Sequence, residues 1–146
     1  MKVYFDTCSL NRPLDNKAQL RVALEAEAVI GILTRCEAGN ITLVSSEVLL
    51  LEADRNPHPH KKAYVASILD EASEVVVVNN EIKNRAEKLE ESGFRAFDAL
   101  HIASAESAGV EYFCTCDDQL LRKAIQQPDL TVKVVSPIVL AQELYL

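Results

Sequence analysis

Short apolar runs alternate along the chain with longer stretches in which apolar residues recur at helical spacing. Lys2–Phe5, an apolar run bounded by polar residues, predicts a short buried strand. From about Ala18 to Ala38, residues Leu20, Ala23, Leu24, Ala28, Ile32 and Cys36 mark a helix face, and Gly39-Asn40 supplies its stop. Ile41–Val44 predicts a second strand. Ser45-Ser46 can then cap a helix running to about Arg55, where Asn56-Pro57 ends it. His58-Pro59-His60-Lys61-Lys62 reads as an exposed turn into a helix reaching about Glu71. Val75–Val78, wholly β-branched, predicts a third strand, and Asn80–Ser92 a charged helix stopped by Gly93. Asp98–Ala108 is an alanine-dense helix stopped by Gly109. Tyr112–Thr115 and Val132–Val135 predict the last two strands, Gln119–Gln126 and Pro137–Leu144 the last two helices.

Strands alternating with helices indicate a parallel sheet covered on both faces. With no internal repeat, linker or low-complexity tract, residues 1–146 read as a single three-layer α/β domain. Sheets of this kind bind ligands beyond the carboxyl ends of their strands, where the strand order reverses. Asp6 stands directly after the first strand, at such an end.

Composition narrows the class without naming a function. Hydrophobic residues make up 49% and charged residues 25%, ordinary soluble usage. No run reaches the roughly 18 apolar residues that a membrane span needs, and charge at Asp6 precedes any long apolar stretch, so a cytoplasmic location is expected. Four cysteines, Cys8, Cys36, Cys114 and Cys116, form no metal-type pair and read as small buried side chains. The net charge of −7 argues against binding nucleic acid by bulk electrostatics. It leaves room for carboxylates that bind a metal, and for a basic protein partner.

Several carboxylates can reach one sheet edge. Tyr112-Phe113-Cys114-Thr115-Cys116-Asp117-Asp118 repeats the order of the first strand, apolar run and then acid, so Asp117 emerges beside Asp6 if the two strands are neighbours. At about 100° per residue, Glu47 and Asp54 lie within about 20° of each other on a wet face, while Glu52 falls about 140° away beside Val48 and Leu49. A lone acid there needs a partner. Asp98 shares a stripe with Ile102 and Ala105, and His101, Ser104 and Ser107 form a separate polar strip. Each acid has a plainer reading: Asp98, Asp117 or Asp118 as a helix cap, and Glu52 as a solvated neighbour of Arg55.

Clustered carboxylates repel one another unless a cation occupies the site, and hard oxygen ligands suit Mg²⁺ or Mn²⁺. Such ions stabilise both oxygens of an in-line phosphodiester displacement. The four glycines form no dinucleotide or P-loop motif, and no GxSxG elbow is present.

Four fragments in order, V-Y-F-D-T at Val3, S-x-x-x-x-x-E ending at Glu52, F-D-A-L-H-I-A around Asp98 and T-x-D-x-x-L from Thr115, resemble a PIN domain, the fold of VapC-type toxins. The resemblance spans nearly the whole chain. It implies a five-stranded parallel sheet of order 3-2-1-4-5, with Asp6, Glu52, Asp98 and Asp117 as the catalytic and metal-binding acids for Mg²⁺ or Mn²⁺. Thr115 and Thr7 would support them, and Asp118 adds a second acid that could share the fourth position. The implied activity is hydrolysis of RNA, leaving a 5′-phosphate and a 3′-hydroxyl, in a toxin with a small antitoxin partner and a homodimeric pairing through its helices. Rival readings are a PIN fold that binds RNA or protein without cutting, and a related DNA nuclease. Cys8 departs from the Asn or Ser common in the family. Arg12, Arg55 and Arg95 lie near the acids in sequence and could meet phosphates. His101 invites an acid–base role that metal-assisted chemistry makes unnecessary.

Overall fold

The computed structural model describes residues 1–145; Leu146, the last residue of the expected domain, lies outside the described residues. Five strands, β1 (Lys2–Phe5), β2 (Thr42–Ser46), β3 (Glu74–Val76), β4 (Tyr112–Cys114) and β5 (Lys133–Val135), pair in parallel in the order β3-β2-β1-β4-β5. β1 is the centre of the sheet, which is why Val3, Tyr4 and Phe5 are fully buried and the run carries no alternation. The order reverses there, with β2 on one side and β4 on the other.

Among the described residues, eight α-helices join or follow the strands: α1 (Thr7–Asn11), α2 (Leu20–Glu37), α3 (Glu47–Asp54), α4 (Pro59–Leu69), α5 (Asn80–Glu91), α6 (Ala96–Ser107), α7 (Asp118–Ile125) and α8 (Pro137–Tyr145), with a 3-10 turn at Arg12–Leu14. α2 packs against α8, and α5 against α6, to enclose the sheet in a three-layer core. Gly39 and Gly109 follow α2 and α6 at φ 83° and 71°, a left-handed conformation that a side chain would disfavour.

Three departures from the sequence reading have physical causes. The strand expected at Val75–Val78 is Glu74–Val76, an edge strand whose Val75 is 50% exposed. It ends early because the Val78 N–H donates to the Glu47 carboxylate, 2.6 Å away, and not to the sheet. The short α1 was unforeseen, since five residues carry too little periodicity to announce a helix. Finally, α2 is rotated from the expected face. Leu20 and Leu24 are 73% and 50% exposed, whereas Glu25, Ala26, Val29, Ile32 and Leu33 point inward.

Glu25 explains that rotation. Its carboxylate, almost wholly buried, meets Arg12 Nη2 at 3.1 Å and Arg21 Nε at 3.5 Å. Arg12 also pairs with Asp15 at 3.1 Å. Together they fasten the loop after α1 onto α2. A buried ion pair adds little over an apolar substitute, but breaking it strands the surviving charge. Glu25→Ala is therefore expected to lose about 3–5 kcal/mol of unfolding free energy in urea. A loss under about 1 kcal/mol would mean that Arg12 simply turns to water.

Candidate active site

Asp6 is the first charged group beyond β1. Its N–H donates to the Cys114 carbonyl at 3.1 Å, which carries the strand pairing one residue past the sheet. Its carboxylate caps α1: Oδ1 accepts from Ser9 N and Cys8 Sγ, each at 3.0 Å. Burial pushes the Asp6 carboxyl above its ordinary range, while hydrogen bonds from Thr115, Cys8 and Ser9 oppose the shift.

Asp98 sits one turn into α6, half-buried. It is no cap: that position belongs to Arg95, whose side chain makes no capping bond. Burial raises the Asp98 carboxyl, and the charges of Asp6 and Asp117 raise it further. These three aspartates thus share one electrostatic neighbourhood. Asp117 caps α7, as its plainer reading foresaw, with Oδ1 accepting from Gln119 N at 2.9 Å and Leu120 N at 3.3 Å, and its charge reaches Asp98. Thr115, fully buried, ties the group together by accepting from Asp117 N at 3.0 Å and bonding the Asp6 carboxylate.

Glu52 stands apart from that trio. Burial pushes its carboxyl up, but hydrogen bonds from His101 and Thr7 outweigh burial and hold it below the ordinary range. Both bonds fall on Oε1, from Thr7 Oγ1 and from His101 Nε2 at 3.1 Å. Asp118, by contrast, faces outward on α7 in a two-pronged pair with Arg21, at 2.7 and 2.8 Å, and does not join the aspartates. Arg12 is likewise committed to Glu25 and Asp15. Arg55 lies over the Phe97 ring, 5.7 Å from its centroid, and Arg95 approaches Asp117 at 4.0 Å while bonding Gln119.

The separate polar strip on α6 is largely internal: His101 is 1% and Ser104 0% exposed, and Ser107 is open. His101 was the residue that sequence reasoning undervalued. The available signal was Glu52 itself, since an acid on an apolar face demands a donor, and His101 lies on the helix that also carries Asp98.

Divalent-cation binding can be judged against this donor set. Asp6, Asp98 and Asp117 present only oxygens, and their mutual repulsion is what a hard cation would relieve. Among the described residues, no group of three or more His, Cys, Asp or Glu side chains converges tightly enough to hold a metal ion as it stands. The donors fit the chemistry of Mg²⁺ or Mn²⁺ as an open site, not as a closed cage.

A parallel α/β/α domain with acids gathered where its strand order reverses is the class that fold and site define. Residues 3–126 match the PIN domain model, and the chain belongs to the PIN domain family. Solved structures share the fold. VapBC2 from Rickettsia felis, bound to a promoter DNA fragment, superposes with a TM-score of 0.60 at 14% identity, covering 93% of this chain and 98% of that chain. VapBC-1 from nontypeable Haemophilus influenzae gives 0.61 at 12%, covering 94% and 99%. Mycobacterium tuberculosis VapC20, a Sarcin-Ricin loop cleaving toxin, gives 0.53 at 17%, covering 81% and 92%. A sequence search of curated proteins finds no match.

Raised carboxyls carry a stability consequence whose sign is fixed. An aspartate with its folded value above the unfolded one binds more protons when folded, so stability falls as pH rises through that window. The deficit is complete above the folded value and absent below the ordinary value of 3.8. Asp98→Asn should therefore melt at a higher temperature than the parent at neutral pH, with the advantage vanishing as pH falls below about 3.8. Equal melting temperatures at neutral pH would contradict the repulsion.

Proposed function

We propose that this chain is a cytoplasmic, divalent-metal-dependent endoribonuclease, the toxin of a VapBC-like toxin–antitoxin pair. The observation that carries the reading is the placement of Asp98, whose carboxyl is pushed up by burial and by the charges of Asp6 and Asp117. Evolution rarely keeps such repulsion at the edge of a stable sheet without a use for it. Membership of the PIN family, and likeness to a toxin described as cleaving the Sarcin-Ricin loop, support RNA as the substrate.

Mg²⁺ or Mn²⁺ held by Asp6, Asp98, Asp117 and Glu52 would supply positive charge to the attacking and leaving oxygens of a phosphodiester. The chain's own groups supply the rest. Thr115 and Ser9 fix Asp6, so the acid cannot swing away from the end of β1. Thr7 and His101 fix Glu52 from the other side. Arg55 and Arg95 flank the acids and would take the phosphates on either side of the scissile bond, as exposed cations on an otherwise acidic protein of net charge −7. That overall charge favours a substrate selected by shape and local contact, and it suits a basic antitoxin segment. Exposed Leu20 and Leu24 on α2 offer an apolar surface for pairing with a second copy.

The lack of a closed trio among the described residues favours one other reading, a PIN fold that binds RNA or protein without cutting. One assay separates the two. Labelled RNAs and single-stranded DNAs are incubated with the purified chain in Mn²⁺, Mg²⁺ or EDTA, with Asp98→Asn prepared in parallel. The expected result is RNA cleavage that EDTA abolishes and that Asp98→Asn lowers by about 100-fold or more. Binding of RNA by both proteins with equal, metal-independent behaviour and no cutting would favour the binding module.

A further inference from the structure

Beneath Glu52 lies a continuous chain of buried side chains drawn from three different elements. The Leu49 N–H of α3 donates to Ser46 Oγ at 3.0 Å. Ser46 Oγ stands 2.7 Å from Tyr4 Oη, Tyr4 Oη stands 2.6 Å from His101 Nδ1, and His101 Nε2 reaches Glu52 Oε1 at 3.1 Å. Ser46 and Tyr4 are fully buried and His101 is 1% exposed, so water does not complete their bonding.

The direction of each bond follows from which atoms own hydrogens. An ionised carboxylate has none to give, so the hydrogen between His101 and Glu52 sits on Nε2. With Nδ1 bare, Tyr4 donates to His101 and Ser46 donates to Tyr4, and every hydrogen in the chain has an acceptor. With the hydrogen on Nδ1 instead, Tyr4 would turn to donate to Ser46, and the Ser46 hydrogen would lose Tyr4 as its acceptor. A buried donor left unpaired costs about 1–3 kcal/mol. Packing reinforces the arrangement: Tyr4 stacks on Phe113 at 5.3 Å between ring centroids, and the His101 ring lies between Tyr4 at 5.7 Å and Phe97 at 6.4 Å.

We propose that His101 is a positioning residue, held through Tyr4 and Ser46 as the Nε2–H donor, which together with Thr7 fixes Oε1 of Glu52 so that the carboxylate would be held in place for a cation. The inference rests on the reading of Glu52 as a site acid, and it assigns His101 no contact with the substrate. A free Glu side chain would surrender up to about 2 kcal/mol of rotamer freedom on binding a cation. Holding it beforehand removes that cost from the binding step.

Two variants separate positioning from packing. His101→Gln carries an amide N–H at about the reach of Nε2, so it can still donate to Glu52. His101→Asn has similar polarity but stops short. Calorimetric titration with Mn²⁺ is expected to give His101→Gln within about threefold of the parent affinity and His101→Asn weaker by about 10–100-fold. Equal affinities in parent and His101→Asn would overturn the inference. Asp98→Asn, titrated alongside, reports on the wider reading: a parent that binds no better than Asp98→Asn removes the cation site itself. Nitrogen-15 spectra of the His101 ring at neutral pH then decide the positioning without any metal. An Nε2–H donor that Tyr4→Phe disturbs is expected, and an Nδ1–H tautomer with Nε2 bare would refute the proposal.

Discussion

The structure turns on one buried charge. Asp6 sits at the end of the central strand, 6% exposed, where a carboxylate is expensive to desolvate. Its position is made tolerable by donors from three places: Ser9 N in the turn of α1, the Cys8 thiol beside it, and Thr115 beyond β4. Those donors exist because the chain turns into α1 immediately after β1, and because β4 lies in register alongside, Phe5 opposite Cys114. The strand order, the short first helix and the Thr115 loop thus together supply the hydrogen bonds that offset part of the burial cost of Asp6.

Around that acid the environment sorts the other carboxylates into two kinds. Asp98 and Asp117 add negative charge to the same neighbourhood, and Asp98 is pushed up by burial and by both neighbours. Glu52 is pulled down, because His101 and Thr7 donate to it. An acid short of positive charge and an acid already supplied with donors respond differently to an arriving cation. Under the proposed metal-binding reading, the first group would gain relief of its repulsion, while Glu52 would contribute a fixed oxygen with little rearrangement.

Much of this was legible in the residues. Apolar runs of three to five residues separated by helical stretches were enough for a parallel sheet, and the four acid-bearing fragments were enough for the family. Ser46 was legible as a cap because its hydroxyl precedes an apolar run, and it does accept from Leu49 N. What stayed hidden depended on partners distant in sequence. The inward face of α2 could not be read from its own periodicity, since Glu25 is buried by Arg12, thirteen positions earlier, and apolar Leu20 and Leu24 are left outside. β3 was read as Val75–Val78 because four valines follow one another, yet the strand is Glu74–Val76 and its edge position leaves Val75 half exposed. His101 read as part of a polar strip with Ser104 and Ser107, and its buried bonds to Tyr4 and Glu52 come from elements distant in sequence.

The placement of the arginines follows the same sorting of charge. Glu25 draws Arg12 and Arg21 to one side of α2, and Arg21 in turn holds Asp118. Each pairing withdraws a charge from the sheet edge: two cations that would have neutralised the aspartates, and one acid that would have crowded them. Arg55 and Arg95 remain near the acids, one resting on Phe97 and the other bonded to Gln119. Neither is buried, so each can move toward an anion without stranding a partner in the core. These ion pairs thus leave the aspartates with few protein-supplied counter-charges, the field that the proposed cation would answer.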